Sequence, residues 1–327
     1  MKPGIKDVAN IAGVSPTTVS RVLNNRGYIS EETRKKVYDA MEEINYYPND
    51  IARALLNNRT YFIGVIVPTV TSPFHGEVVS YVEHYLSEKK YKTLLCNSMN
   101  KVDVEISYID MLRRNQVDGM IVGTHNKGSD IDAYANCNMP IVAIDRYLGE
   151  NIPVVSCDNY AAGQMATRHL IEKGCRNILC IRGDSKLKMP GNDRSKAYLD
   201  ETSKAGLDQL ILEVPFVNKH SDKKKLIEKM LTDNPQIDGI FAGDDSLAII
   251  AFNIAKEKGI SVPKNLKIIG VDGTQKVLEL VPELTTIQQS SKLIAKVAVE
   301  KLIDMIDGKK VDSSTNLPVK LIEGKTT

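Results

Sequence analysis

Apolar positions between residues 5 and 44 fall into three short sets at helical spacing, each introduced by turn or capping residues. Ile5, Val8, Ala9 and Ala12 share one face of a first predicted helix. Gly13 stands where a tight turn needs a residue that tolerates positive φ. Ser15 then caps a second helix, and Pro16 occupies its first turn, where a missing N–H costs nothing. Val19, Val22 and Leu23 form the inner face of that helix, leaving Thr17, Thr18, Ser20 and Arg21 outside. A third helix is predicted from the cap Ser30, with Glu31 and Glu32 at the positive end of its dipole. Its core stripe is Val37, Ala40, Met41 and Ile44. Pro48 ends this unit, and Asn49 caps an apolar segment over residues 50–57, too short to be a stable isolated helix in water.

From Tyr61 the pattern changes to apolar strands alternating with amphipathic helices, the signature of a doubly wound α/β fold. The run from Phe62 to Val67 suits a parallel strand covered on both faces. Further strands are predicted at Lys92–Cys96, Gly119–Val122, Ile141–Ile144, Ile178–Ile181, Leu210–Val214, Ile240–Ala242 and Lys267–Val271. Helices are expected around His75–Lys89, Val102–Arg114, Arg194–Ala205, Lys223–Leu231 and Ser246–Lys258. The stretch Val117–Gly123 is echoed by Ile237–Gly243, and each is followed by another apolar strand ending in aspartate, Asp145 or Asp272. Two similar lobes with strand ends facing a shared cleft are expected, and open sheets of this class bind ligands there.

Charge and chemistry narrow the reading. The net charge is only +2, so there is no global polycation; the bias is local, with Lys2, Lys6, Arg21 and Arg26 facing only Asp7 in the first thirty residues. Phosphate contact therefore belongs to the N-terminus. The short polar side chains outside the second helix suit base edges in a major groove, so the first unit reads as a helix-turn-helix that binds DNA. An ordinary helical hairpin is the alternative, and it is outweighed because turn glycine, cap, proline and solvent-side Arg21 all agree. The five cysteines are scattered without C-x-x-C spacing, which suits buried thiols in a reducing cytoplasm and gives no metal site. No apolar stretch resembles a signal peptide or a membrane span. No dinucleotide fingerprint, P-loop or nucleophile elbow is present, and the five histidines stand isolated from one another along the chain, so neither enzyme activity nor a cofactor is expected.

These residues resemble the lac-repressor family of bacterial transcription regulators over the full length. The resemblance is carried by Asp7-Val8-Ala9, Ala12-Gly13-Val14-Ser15, Thr18-Val19-Ser20-Arg21-Val22, Tyr47-Pro48-Asn49, Ala52-Arg53-Ala54-Leu55, Ile63-Gly64-Val65 and Leu284-Thr285-Thr286-Ile287. Within the family the chain is similar to sucrose-operon repressors of Gram-positive bacteria, through Gly27-Tyr28-Ile29-Ser30, the segment Thr93–Ser98, Asn115–Gly119 and Asn151–Ser156. The resemblance implies an all-α headpiece over residues 1–48, a hinge helix and linker over 49–60, and a two-lobed, periplasmic-binding-protein-like sensor over 61–327. The first lobe would take about 61–157 and 291–319, the second about 158–290 and 320–327.

It also implies a cytoplasmic homodimer on a pseudo-palindromic operator. Ser15, Pro16, Thr17, Thr18, Ser20 and Arg21 would face the DNA, with Arg21 on a guanine edge or, alternatively, on a phosphate. Asn24, Tyr46 and Asn49 would contact the backbone, and Leu55 would wedge into the minor groove or pack between the two hinge segments. A small sugar or sugar phosphate would bind between the lobes, held by Asp272, Asp244 and Arg194, with Asp145, Arg146, Ser72 and Phe74 completing the pocket. Each of these has a cap or salt-bridge alternative, the roles given to Asp245 and Asp158, and Ser291 falls where relatives often carry an aromatic. Lys186, Lys188 and Arg194 form either a phosphate site or a solvated loop. The implied function is repression of a sugar operon, with sucrose foremost. The alternatives are a global catabolite regulator with a phosphoprotein corepressor, or a repressor for another sugar such as ribose. Inducer and corepressor are both compatible with the sequence, which implies a homodimer and leaves a tetramer open.

Overall fold

Gly4 opens α1 (Ile5–Ala12), its N–H donating 2.8 Å to Oδ2 of Asp7, and Gly13 closes it at φ 63°. The chain turns directly into α2 (Pro16–Leu23), where the Ser15 hydroxyl accepts from Thr18 N–H, and Ser30 caps α3 (Glu31–Glu43) in the same way. Helices this short are not stable alone. They are held by a common core of Val8, Ala9, Ala12, Val19, Val22, Val37 and Ala40, with Leu23, Met41, Ile44 and Tyr46 packed against it. The computed structural model describes residues 3–24, 26–47, 59–125 and 133–327, which divide into two compact units, 1–60 and 61–327. The expected hinge helix, with Asn49 and Leu55, lies outside the described residues.

The second unit is built on two six-stranded sheets of equivalent design. The first contains β1 (Phe62–Val67), β2 (Lys92–Asn97), β3 (Gly119–Val122), β4 (Ile141–Ile144), β5 (Val154–Cys157) and β11 (Ser314–Leu317), in the order β11-β5-β4-β3-β1-β2. All its pairings are parallel. Strands buried on both faces need helices on both sides. Here α4 (Pro73–Glu88) and α11 (Ser291–Ile306) cover one face and α5 (Val102–Arg114) the other. The second sheet contains β6 (Ile178–Arg182), β7 (Leu210–Glu213), β8 (Gly239–Ala242), β9 (Lys267–Asp272), β10 (Thr285–Gln289) and β12 (Val319–Ile322), in the order β12-β10-β9-β8-β6-β7. Only β12 is antiparallel to its neighbour. Its faces are covered by α8 (His220–Asp233), α9 (Asp245–Glu257) and α10 (Gln275–Leu280) on one side, and by α6 (Asn159–Glu172) and α7 (Asn192–Lys204) on the other.

The chain passes between lobes three times: from β5 into α6, from β10 into α11, and from β11 into β12 across Pro318. Val319 pairs with Gln289 in the second sheet, so the last passage lies just ahead of the expected boundary after residue 319. In each sheet the first strand of the lobe lies between its second and third, so β1 and β6 mark the points where strand order reverses. Ligand clefts form outside the carboxyl ends of strands at such points.

Candidate functional site

The headpiece presents its second helix to solvent on one side. Ser15, Pro16, Thr17 and Arg21 are exposed, and Thr18 and Ser20 are half-buried. Two of these polar groups also serve the helix: the Ser15 and Thr18 hydroxyls lie 2.9 Å apart as the cap closes. Asn24 donates 2.8 Å to the carbonyl of Ser20, and Tyr46 packs partly against the headpiece core. Arg21 makes no ion pair with any other described residue, so its guanidinium is available to an anion or a base edge.

In the second unit, residues from both lobes line one cavity of about 410 Å³. The first lobe supplies Thr71, Ser72, Phe74 and His75 after β1, Asn100 after β2, Thr124 and His125 after β3, and Asp145 after β4. The second supplies Arg182 at the end of β6 and Gly183 after it, Phe216 after β7, Asp244 after β8, Asp272 and Gln289 at the ends of β9 and β10, and Arg194 from α7. Nearly all sit at the carboxyl ends of their strands, as the topology requires.

Asp145 and Asp272 occupy equivalent places, each at the end of the fourth strand of its lobe. Both have positive φ, 52° and 126°. For a residue with a side chain, and above all at 126°, that is strained backbone of the kind concentrated at functional sites. Burial pushes the Asp145 carboxyl up to about 6, with Arg194 opposing. Its Oδ1 has no hydrogen-bond partner among the described residues. Burial, then the neighbouring Asp245, raises Asp272 well above the ordinary range, although its Oδ1 accepts 2.7 Å from the Gln289 amide. Gln289 Oε1 is likewise buried and without a partner among the described residues. Arg194 is enclosed: Nε donates to Asn159 Oδ1 and Nη1 to the Gly243 carbonyl, both at 2.7 Å. Burial works against its charge, but Cys157, Asp272 and Asp145 outweigh that and hold the guanidinium protonated. Gly163 on α6 makes room for this, since a Cβ there would lie 2.2 Å from the Arg194 carbonyl oxygen.

Several expectations are revised. Asp244, not Asp245, caps α9, its Oδ1 accepting 2.8 Å from Leu247 N–H, while it also borders the cavity. Asp245 is a buried strut beneath the site, accepting 2.7 Å from Gly273 N–H and 2.6 Å from the Thr286 hydroxyl; burial lifts it to about 7. Gly270 has no Cβ because one would sit 2.3 Å from that carboxyl. Asp158 does cap a helix, α6. Arg146 is buried but is not among the cavity's lining residues; it donates across the lobes to the Lys188 carbonyl. Lys186 and Lys188 are exposed and outside the cavity, so the cations that border it with Arg194 are Arg182 and Lys223. Ser291 is buried at the start of α11 and does not line it.

The histidines are not all isolated. His75 and His125 meet edge to face at 5.5 Å, and His125 stacks on Phe216 at 4.1 Å with an interplanar angle of 17°. Phe74 touches His75 at 5.6 Å, which makes a run of four rings along one wall. No local signal marks this wall, because its members come from separate loops of two lobes.

Comparison with known proteins agrees with this geometry. Residues 4–49 match the family described as bacterial regulatory proteins, lacI family, and residues 60–325 match periplasmic binding proteins and sugar binding domain of LacI family. The chain is 42% identical to the sucrose operon repressor of Pediococcus pentosaceus, over all of both chains. A periplasmic binding protein/LacI transcriptional regulator from Alkaliphilus metalliredigens, solved with D-xylulofuranose, is 33% identical with a TM-score of 0.75, covering 82% of this chain and 99% of that one. The lac repressor dimer bound to operator shares the fold throughout, with a TM-score of 0.87 at 24% identity, over 100% of this chain and 99% of that one. The chain belongs to the lacI family of bacterial regulatory proteins, a DNA-binding helix-turn-helix headpiece joined to that family's sugar-binding domain.

Proposed function

We propose that the protein represses a sugar-utilisation operon of the sucrose pathway and that a small sugar in the interlobe cleft controls its grip on the operator. The observation that carries this reading is the cavity itself. Buried acceptors without partners, Asp145 Oδ1 and Gln289 Oε1, stand beside Asp272, Asp244 and a wall of aromatic rings. Hydroxyl protons satisfy such acceptors, and the apolar face of a sugar ring suits an aromatic surface. A neutral polyol repairs the electrostatics of two desolvated carboxyl groups by donating hydrogen bonds to them. The likeness to a sucrose operon repressor supports the choice of pathway.

A homodimer on a pseudo-palindromic site is supported by Leu95, Met99, Val102 and Ile106, apolar side chains left exposed on β2, in the turn after it and at the start of α5. The sugar alters operator affinity because it binds one arrangement of the lobes better than another; couplings of this kind are about 1–3 kcal/mol, or roughly 5–150-fold. Arg182 and Lys223 at the same cavity favour a phosphorylated sugar as a second reading.

The test is operator affinity by fluorescence anisotropy at fixed salt, using a pseudo-palindromic site selected from random DNA. Fructose, sucrose and sucrose 6-phosphate are added in turn. A change with one of them identifies the effector, and its sign distinguishes inducer from corepressor. Tight, selective DNA binding that none of them alters would overturn the sucrose assignment.

A further inference from the structure

We propose that His125 is an affinity-setting residue of the cleft: stacked on Phe216 from the opposite lobe, it clasps the two lobes together and so sets how readily they close on an effector. The effector part of this rests on the function proposed above; the clasp itself does not.

The rings are seated for such a role. His125 follows β3 in the first lobe and Phe216 follows β7 in the second, so their 4.1 Å stack spans the cleft. Behind Phe216 lies Gly183, where a Cβ would come within 2.3 Å of the phenyl Cζ. Behind His125, His75 packs edge-on and Asn100 Oδ1 lies 3.2 Å from Nδ1. Phe216 is thus held between a glycine of its own lobe and an imidazole of the other. Any opening of the lobes must separate the pair. Among the described residues the lobes are also linked from Gln275 N–H to Glu77 Oε1 at 2.8 Å and from Arg146 to the Lys188 carbonyl. Neither of these places a ring on the cavity wall.

The clasp works with a neutral imidazole. Burial, then the positive charges of His75, Arg146 and Lys223, holds His125 well below its ordinary range, and burial alone pushes His75 down to about 4. The groups that face His125 are these three together with Asn100 and Phe216. A protonated ring would gain a cation–π contact with Phe216, but desolvation and the positive charges of Arg146 and Lys223 oppose it, joined by His75 once that ring is itself protonated. Acidification therefore loosens the clasp.

The chain contains no tryptophan, so Phe216→Trp places a single indole fluorophore at the clasp of the full-length protein. Its emission is expected to stay level through the ordinary histidine range and to change only at pH well below it, because protonation of the stacked imidazole quenches it. That change should vanish in Phe216→Trp/His125→Phe, which retains His75 and every other titrating group. Identical pH profiles with and without His125 would overturn the clasp. In the second arm, operator release by fructose is titrated. Aromatic pairs are worth a factor of about 2 to 10 in an equilibrium, so His125→Ala should raise the half-effective fructose concentration by that factor. His125→Phe should restore it, and Gly183→Ala, which unseats the Phe216 ring, should mimic the loss. An unchanged half-effective concentration in His125→Ala overturns the affinity-setting role. If fructose, sucrose and sucrose 6-phosphate all fail on the unmodified protein, the functional reading falls, while the fluorescence arm still decides the clasp.

Discussion

Asp272 combines a buried carboxyl, a raised proton affinity and a φ of 126°, and each of these costs stability at neutral pH. Glycine accepts that backbone without strain. Asp272→Gly should therefore unfold at least as high in temperature as the unmodified chain at pH 7.5, and keep operator binding, yet lose the sugar response. A normal response in anisotropy titrations would remove Asp272 from the site. This residue and Asp145 were legible in the sequence because each ends an apolar strand within the same short echo. The family resemblance implies Arg146 in the cleft beside Asp145, but consecutive residues at a strand end point to opposite sides, and Arg146 does not line the cavity. His125 and Phe216 carried no signal, since their meeting depends on how two loops of different lobes are brought together.

At the scale of elements, α2 is eight residues long and owes its place to Val19 and Val22 in the core, which leaves Arg21 on its outer face without an ion pair among the described residues. Arg21→Ala should accordingly abolish discrimination between the selected operator and scrambled DNA, while sugar binding to the sensor, followed by calorimetry, is retained. A guanine contact predicts loss of discrimination, worth about 1–3 kcal/mol; a phosphate contact predicts uniform weakening with a smaller salt slope. Equal loss on both DNAs would therefore settle the phosphate alternative. Helix α6 went unread because its buried face is Ala162, Gly163, Ala166 and Thr167, small residues of little hydrophobic contrast. They are small because α7 comes so close at Arg194. By contrast α11 carries Ile294, Ala295, Ala298, Val299 and Leu302 at helical spacing, the plain pattern of a core-facing helix, although the strand–helix reading above ends at Val271.

For the whole molecule, opposing titrations shape stability. Asp145, Asp245 and Asp272 bind protons more tightly folded than unfolded. Their contribution is complete at low pH and is lost as pH rises through about 6 to 7 and beyond. His75 and His125 behave in the reverse sense: their contribution is complete above about 6.5 and is lost as pH falls from there. Between pH 8 and about 6.5 the carboxyl groups dominate, so calorimetry should show the Tm rising on acidification across that window. Asp245→Asn should reduce the slope. A Tm that falls over the same window would mean that these carboxyl groups are ionised at little cost. The two-lobed arrangement was readable from strand–helix alternation, whereas β12, short and only partly buried, was not.

The matching strand orders of the two lobes carry a further consequence. A cleft between two halves of the same strand order offers a small ligand equivalent positions on either side, since Asp145 and Asp272 end the fourth strand of each lobe. One difference between the halves lies in the helix that follows the first strand of each lobe. Its third position is His75 in α4 and Arg194 in α7, an aromatic ring against a fixed cation. Two other equivalent strand ends also differ, with Asn100 answering Phe216 and Thr124 answering Asp244, so an effector held here would meet three unlike pairs and exchanging the characters of His75 and Arg194 alone should not invert its orientation.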